Sequence, residues 1–592
     1  MWQRSGNLDV HVSIRGLFSG ANGSIKLMIN GHSAEIAIYQ NMTWFKTFPV
    51  ELIKKIEIIR GPGSALYGAS AMNGVINIIT KDASDPSAVS AGYGSFDTYK
   101  GTGQLSYIKN DFSLFAFADT VHSNGDPQLI EKDYASSAFP PGYSLAPGYT
   151  NEELRYNTFF TNLSFRNFRL TGFFKDTDSD LPVGYTSALT DENNFSNKRA
   201  FVEAGYDGSP GEILQLSVKA WWDYGADDIM YEQFDQKTAA FKNFPEGVGM
   251  MSALGVKGEK FGSEIMTTVK LPHKSEIIAG VCAEHTRGYD VRASFNTNLI
   301  SSNKPIVIDG VSYGSMQYLG GMRDLSESYN FMDEDRMKRT VWAGYVQGMW
   351  NIAETFPALK RIGKTLTLTA GLRYDDYDDV GSSLNPRTGI VYAPNDRLFF
   401  KVLYGQAFRA PGFNELYLTN NIVILGNPDL NPETVKTAEF LAGVNITDRI
   451  TATLDFFRVQ RGDMIRNVKG VFSNLGEVES QGIEGEIRAS IDRHKYGYFN
   501  ITYQKVEDKS HDRISDAARF MFRMILISAV IPKSWRIWES TGTSLTTSTP
   551  ICPSTILPPS DAPAPCGSRL IKPILTELLK KPTKEIRSAD TR

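Results

Sequence analysis

Cysteine and histidine are scarce in this chain, which has three Cys (Cys282, Cys552 and Cys566) and seven His among 592 residues. The cysteines are too few and too scattered for a disulfide framework, and the histidines form no ligand cluster, so neither a metal site nor a redox compartment can be read from them. An excess of one charge is also lacking. There are 62 Lys and Arg against 66 Asp and Glu, a formal net charge of -4, which argues against nucleic acid as a partner because polyanion binding needs a concentrated basic face. No run approaches the roughly 18 apolar residues that a spanning helix requires, and 22% charged residues is too polar for a helical membrane protein. Finally, Met-Trp-Gln-Arg-Ser-Gly-Asn has none of the basic, apolar and small-residue regions of a signal peptide. Either the protein is not exported or its beginning is missing.

Glycine and aromatic residues are plentiful, at 51 Gly, 26 Tyr and 34 Phe, too aromatic for disorder. They are unevenly spread: residues 511–592 hold no Tyr, only Gly542 and Gly567, and nine of the 27 Pro. Proline removes ladder donors and is excluded from strand interiors. This span therefore reads as a non-barrel tail, frame-shifted or disordered, with an isolated helix expected around Ile571 to Lys580.

Between residues 86 and 505 the hydrophobic period is two. Leu214, Leu216, Val218, Ala220 and Trp222 alternate with Gln215, Ser217 and Lys219, and Leu366 to Tyr374 alternate with Thr365, Thr367, Thr369 and Arg373. Such strands match the roughly nine to eleven residues that a tilted strand needs to cross a bilayer. Short turns at 109–111, 207–210, 272–274, 394–396 and 447–449 alternate with long polar connections at 121–153, 176–198, 224–253, 287–338 and 407–432. That two-sided asymmetry predicts an all-β, antiparallel transmembrane barrel with the short side periplasmic. About 17 strands are counted, the last at Tyr496 to Gln504, and the long connections are expected on one rim.

Residues 1–80 read differently, with Val12 to Gly16, Lys26 to Gly31, Ile56-Glu57-Ile58-Ile59-Arg60-Gly61-Pro62-Gly63-Ser64-Ala65-Leu66-Tyr67-Gly68, and Gly74-Val75-Ile76-Asn77-Ile78-Ile79-Thr80. Gly61, Gly63 and Gly68 could be offered as a phosphate cradle, but that needs a following helix in a βαβ unit. Residues 74–80 instead read as a strand, leaving the glycines as turn positions. This stretch resembles the plug domain of TonB-dependent outer-membrane receptors of the siderophore type, with Gly16, Gly61, Pro62, Gly63, Tyr67, Gly68, Gly74 and Asn77 as plug-motif residues. Tyr404 to Tyr417, Asn427 to Glu433, and Asn474 to Gly485 resemble the family's barrel signatures.

The resemblance implies a 22-stranded barrel whose lumen is closed by an N-terminal plug, and a receptor that imports scarce ligands with energy supplied by the TonB complex. The domains expected are a partial plug over 1–82, an incomplete transmembrane barrel over 86–505 and the tail over 511–592. The family's signal peptide, TonB box, first plug elements and last strands have no counterpart in the sequence. An open, C-shaped barrel that does not assemble as a functional transporter is therefore expected, with unpaired edges that hydrocarbon cannot satisfy.

The partners implied are the TonB complex, outer-membrane lipid and a ferric siderophore or similar ligand. A receptor for cobalamin or another metal chelate, and a passive outer-membrane porin, remain alternatives; residues 12–80 speak against the porin. No catalytic constellation or cofactor site is found, so no enzyme is expected. Asp375, Asp376, Asp378 and Asp379 read as a solvated turn in a long-side loop. Tyr134, Phe139 and Tyr143 suit a flat ligand or generic loop packing equally. Arg15 and Arg60 each end a plug strand and would need carboxylate partners inside the lumen. Strand parity turns Glu439 and Glu484 inward, because Phe440, Ala442 and Val444, and Ile483, Ile487 and Ala489, face outward. These four residues form a candidate plug-to-barrel latch.

Overall fold

The computed structural model describes residues 13–527 apart from 16, 19–22, 34, 36–37, 39–46, 185, 242, 299–304, 362, 422–423, 491–495 and 511–518. The helix expected near Ile571, the plug-motif residue Gly16, and Cys552 and Cys566 therefore lie outside the described residues.

The N-terminal part contains β1 (Ser13–Ile14), β2 (Leu17–Phe18), β3 (Ile25–Ile29), β4 (His32–Ser33), β5 (Ile53–Arg60) and β6 (Gly74–Thr80). The last four form one sheet in the order β4-β3-β6-β5, in which β3 and β6 run parallel. Their near-continuous apolar sequences fit this place, since both faces of a central parallel strand are buried. Asn30 and Gly31 both have positive φ, 51° and 83°, the requirement of a tight hairpin turn. That turn sets His32 opposite Ile29.

The sheet that follows is made of β7 (Ala88–Gly94), β8 (Thr98–Lys109), β9 (Phe112–Ser123), β12 (Leu154–Phe165), β13 (Phe168–Asp180), β14 (Asn194–Gly208), β15 (Leu214–Phe234), β16 (Met250–Leu271), β17 (Ser275–Thr297), β20 (Tyr318–Asp324), β21 (Lys338–Asn351), β22 (Thr365–Tyr377), β23 (Gly381–Ala393), β24 (Leu398–Arg409), β25 (Glu433–Thr447), β26 (Ile450–Gly462), β29 (Val478–Ser490), β30 (Tyr496–Asp508) and β31 (Arg519–Ile527). Three small hairpins, β10 (Leu129–Ile130) with β11 (Gly148–Tyr149), β18 (Ile306–Ile308) with β19 (Val311–Tyr313), and β27 (Ile465–Val468) with β28 (Val471–Asn474), lie in its connections. β20 and β21 pair with different stretches of β17 and so share one place. Seventeen places therefore run from β7 to β30, matching the sequence count, and β31 supplies an eighteenth by pairing antiparallel with β30.

The sheet closes into a barrel. This corrects the expected open, C-shaped sheet. The strand over Arg519–Ile527 precedes the first proline of the tail, so the compositional break masked it. An even number of places returns the chain to the rim where it entered. The long connections share the other rim. Met332 bridges to Leu418, and the amide of Asp333 donates to the carbonyl of Tyr417, which joins the 297–338 connection to the 409–433 one.

Two boundaries differ from the sequence reading. β15, β16 and β17 are 21, 22 and 23 residues long, so much of 224–253 and 287–338 is strand. About ten residues cross the bilayer. The excess continues hairpin pairing beyond the bilayer, where Val256, Val291, Ala293 and Phe295 are buried in an apolar cluster with residues of the long connections. On the short-turn rim, the connection from β21 to β22 carries a helical turn (Ile352–Thr355), a longer link than its neighbours.

Candidate functional site

The first site is the contact between the N-terminal sheet and the barrel wall. Arg15, buried at the end of β1, points at three carboxylates on neighbouring strands. Its Nη1 donates to Glu439 Oε1 at 2.6 Å and its Nη2 to Glu439 Oε2 at 3.0 Å and Asp455 Oδ2 at 2.9 Å. Glu484 lies 3.8 Å from Nε, the guanidinium stacks over the Phe457 ring at 4.7 Å, and Ser480 Oγ donates to the Arg15 carbonyl at 2.8 Å. The side chain of Arg15 is 3% exposed. A forked guanidinium is suited to this because its donors meet several carboxylates at fixed angles.

Arg60 reaches the same cluster, 3.4 Å from Glu484, but its side chain is 60% exposed. The structure thus brings all four sequence-nominated residues together, and corrects the expectation that Arg60 is buried. β5 is the edge strand of its sheet, and side chains at a sheet edge reach water. Asp455 was missed, although the same parity test finds it: Leu454 and Phe456 are outward and exposed, which turns Asp455 into the lumen.

The motif glycines hold the chain against this cluster. Gly61 has φ of 82°, and a Cβ there would lie 2.8 Å from Glu439 Oε1, so only glycine satisfies both the backbone and the close approach. The amides of Gly61 and Gly63 donate to the carbonyls of Asn73 and Ala71, folding residues 61–73 into a closed loop beside Pro62, which packs over Gly405. Tyr67 ends the single helical turn α1 (Ser64–Tyr67), followed by Gly68 at φ 72°. Gly74 pairs so closely with β5 that a Cβ would meet the Ile59 carbonyl oxygen at 2.5 Å. Asn77 accepts from the Gly31 amide at 2.9 Å. One helical turn between antiparallel strands is not a βαβ unit, and these glycines are structural.

A second contact, unforeseen from the sequence, lies across the lumen. His32 Nδ1 is 3.0 Å from Glu203 and its Nε2 2.9 Å from Asp223, and its ring stacks on Phe201 at 4.1 Å. Lys260 pairs with Asp223 at 2.8 Å and donates to the carbonyls of Ser33 and Glu35 at 3.4 and 3.1 Å. Burial disfavours the His32 imidazolium, but Asp223 and Glu203 outweigh it and raise the His32 pKa above its ordinary value. A single histidine after a turn gives no sequence signal.

Beside this contact is a cavity of 380 Å³ between the N-terminal sheet and the wall from β14 to β22, with Lys26, Tyr67 and Ala69 on one side and Lys219, Cys282 and Arg373 on the other. Burial lowers the pKa of Lys26 and raises that of Glu35.

The expected solvated turn of aspartates is corrected for Asp375 and Asp379, whereas Asp376 and Asp378 are exposed and Asp378 lies in the turn after β22. Asp375 is 1% exposed and pairs with Arg373 at 2.8 Å, Asp379 pairs with buried Arg339 at 2.7 Å, and Asp378 accepts from the Thr340 amide at 2.8 Å. Asp375 is on β22, where parity with outward Tyr374 carries it inward. Phe139 stacks edge-on against Phe234 and Phe241, Tyr143 against Phe241, and Tyr134 on Phe234, so these rings serve loop packing. The 409–433 connection is tied down by Arg409, which pairs with Glu415 of the helical turn Phe413–Tyr417 at 2.7 Å and with Glu433 at 2.9 Å. Among the described residues there is no group of His, Cys, Asp or Glu able to hold a metal ion.

Comparison with known proteins gives a consistent answer. Residues 82–549 match the family model for the TonB dependent receptor-like β-barrel, and residues 2–75 match that for the TonB-dependent receptor plug domain. Among solved structures, the FrpB iron transporter of Neisseria meningitidis is similar with a TM-score of 0.57 at 14% identity, over 85% of this chain and 74% of that one. The siderophore receptor PirA of Pseudomonas aeruginosa gives 0.53 at 17%, over 84% and 79%. The copper transporter OprC gives 0.58 at 13%, over 85% and 74%. At these identities the likeness concerns the fold.

Proposed function

The chain belongs to the TonB-dependent receptors, outer-membrane transporters rather than enzymes, and from that premise we propose that it imports a ferric siderophore or a closely similar metal chelate. A hydrophilic chelate cannot cross hydrocarbon, so it needs a lumen, and a lumen of this width would leak unless occluded. We take residues 1–82 as the occluding plug and the Arg15 cluster with Glu439, Asp455 and Glu484 as the latch that holds it. The observation that carries this reading is the buried guanidinium of a plug strand shared among carboxylates of three barrel strands.

The long extracellular connections, packed on one another around Phe331, Met332, Phe413 and Tyr417, supply the surface where a ligand is first captured. That the similar structures are an iron transporter, a siderophore receptor and a copper transporter favours a metal chelate as cargo, cobalamin being the wider alternative. A passive porin is disfavoured because a porin needs no latch. The test is growth under iron limitation on single iron sources, comparing the host with a strain deleted for this gene. Loss of growth on one ferric chelate, restored by the gene, supports the reading. Unchanged growth on every chelate, with loss of cobalamin- or copper-dependent growth, assigns the cargo otherwise.

A further inference from the structure

The plug is not held alike all round. On the β9 to β14 wall, plug residues Ile25, Leu27, Ile29 and Ile78 form a continuous apolar core with Phe115, Phe160 and Phe173. On the β24 to β29 wall, Leu17 and Met72 pack with Ala407, Val435, Phe457 and Val459, next to the Arg15 latch. Facing β15 to β22 there is instead the 380 Å³ cavity, lined by charged groups of both signs. His32, with Glu203, Asp223 and Lys260, fastens the plug at the edge of this gap.

Opening a passage means parting the plug from the wall somewhere. Parting packed apolar surface exposes it to water at about 25 cal/mol for each Å². Across the cavity itself the surfaces already stand apart, and separation is opposed by the polar fastening and by Ile38 and Ala69, which join the apolar cluster of Val256, Val291 and Tyr377. We propose that the passage opens on the cavity side: His32 and Lys260 are the positioning residues whose contacts must release, and the Arg15 cluster across the lumen stays engaged as the hinge. The cavity is then the first stretch of the ligand's route. The charged lining suits a polar, charge-bearing chelate, and Arg373, 3.1 Å from where a Cβ on Gly68 would sit, marks how closely the plug loop approaches the wall there. The inference rests on reading residues 13–80 as the plug.

Cys282 on β17 lines the cavity and makes a native probe. In the full chain carrying Cys552→Ser and Cys566→Ser, reconstituted in lipid, the rate of labelling by a sulfonated maleimide reports access to the cavity. Loss of a buried, charge-assisted fastening should raise that rate about tenfold in His32→Gln, and similarly in Lys260→Met. Arg15→Gln frees the plug from the opposite wall, at Glu439, Asp455 and Glu484 and away from Cys282, and should label more slowly than either. Heat-modifiable migration identifies the folded variants, and Lys260→Met carries the test if His32→Gln does not fold. Labelling at the native rate in the folded variants, or fastest labelling in Arg15→Gln, would overturn the proposal. Steady ion conductance by the native protein would instead overturn the plug reading beneath it.

Discussion

Replacing Arg15 with Ala should unlatch the plug. The guanidinium is 3% exposed and compensates Glu439 and Asp455 directly, with Glu484 at 3.8 Å. Its loss leaves three carboxylates facing one another in a space largely shielded from water. Removing one partner of a buried pair costs roughly 3–5 kcal/mol, and at about 1.4 kcal/mol per factor of ten the open state should become roughly a hundred- to a few thousandfold more populated. Arg60→Ala is the internal control: its pair with Glu484 is long and its side chain 60% exposed, and such pairs are worth about 1 kcal/mol or less. The assay is exclusion of a large glycopeptide antibiotic by cells carrying each variant. Arg15→Ala should sensitise them strongly and Arg60→Ala barely. The pairing of Arg15→Ala with Glu439→Ala should be markedly less harmful than the sum of the two, as expected of coupled sites. Native exclusion by Arg15→Ala, with normal amounts of folded protein in the membrane, would refute the latch.

Gly61→Ala should destabilise the plug by roughly 1–3 kcal/mol through backbone strain alone, before the added Cβ presses on Glu439, and should be seen as faster proteolysis between the plug and the barrel. His32 has a raised folded pKa, so its stabilisation is fully present below the unfolded value near 6.5 and is lost as pH rises through the folded pKa; plug resistance to urea should fall over that window in the native protein but not in His32→Gln. The groups around the ring are Glu203, Asp223 and Lys260, with Arg169 beyond Glu203, and a native profile flat from pH 5 to 9 would count against the anchor. The closed sheet should give a heat-modifiable band on a gel, and a single band before and after boiling would contradict closure.

Period two, and the contrast between short and long connections, made the barrel and its 17 strands through β30 legible. β31 was hidden because it lies in a span whose average composition is set by the proline-rich residues after it. The Arg15 cluster proposed as the latch was legible for a narrower reason. Phe440 and Ile483 face lipid, so their neighbours Glu439 and Glu484 must face the lumen, and a buried arginine needs them. The same logic applied to Leu454 and Phe456 finds Asp455. It cannot find His32, whose partners Glu203 and Asp223 are 171 and 191 residues away. Parity tells that those carboxylates point inward, not what they meet there. Nor could sequence distinguish Asp375 from a solvated turn residue without knowing where β22 ends.

The most direct measurement is ion conductance of the purified chain in a planar lipid bilayer, native and Arg15→Ala, at matched amounts of heat-modifiable protein. A barrel shut by a latched plug should hold the membrane at its baseline in the native form and open frequently once Arg15 is gone. A native protein that conducts steadily, with Arg15→Ala indistinguishable from it, would contradict a plugged lumen and leave a passive pore.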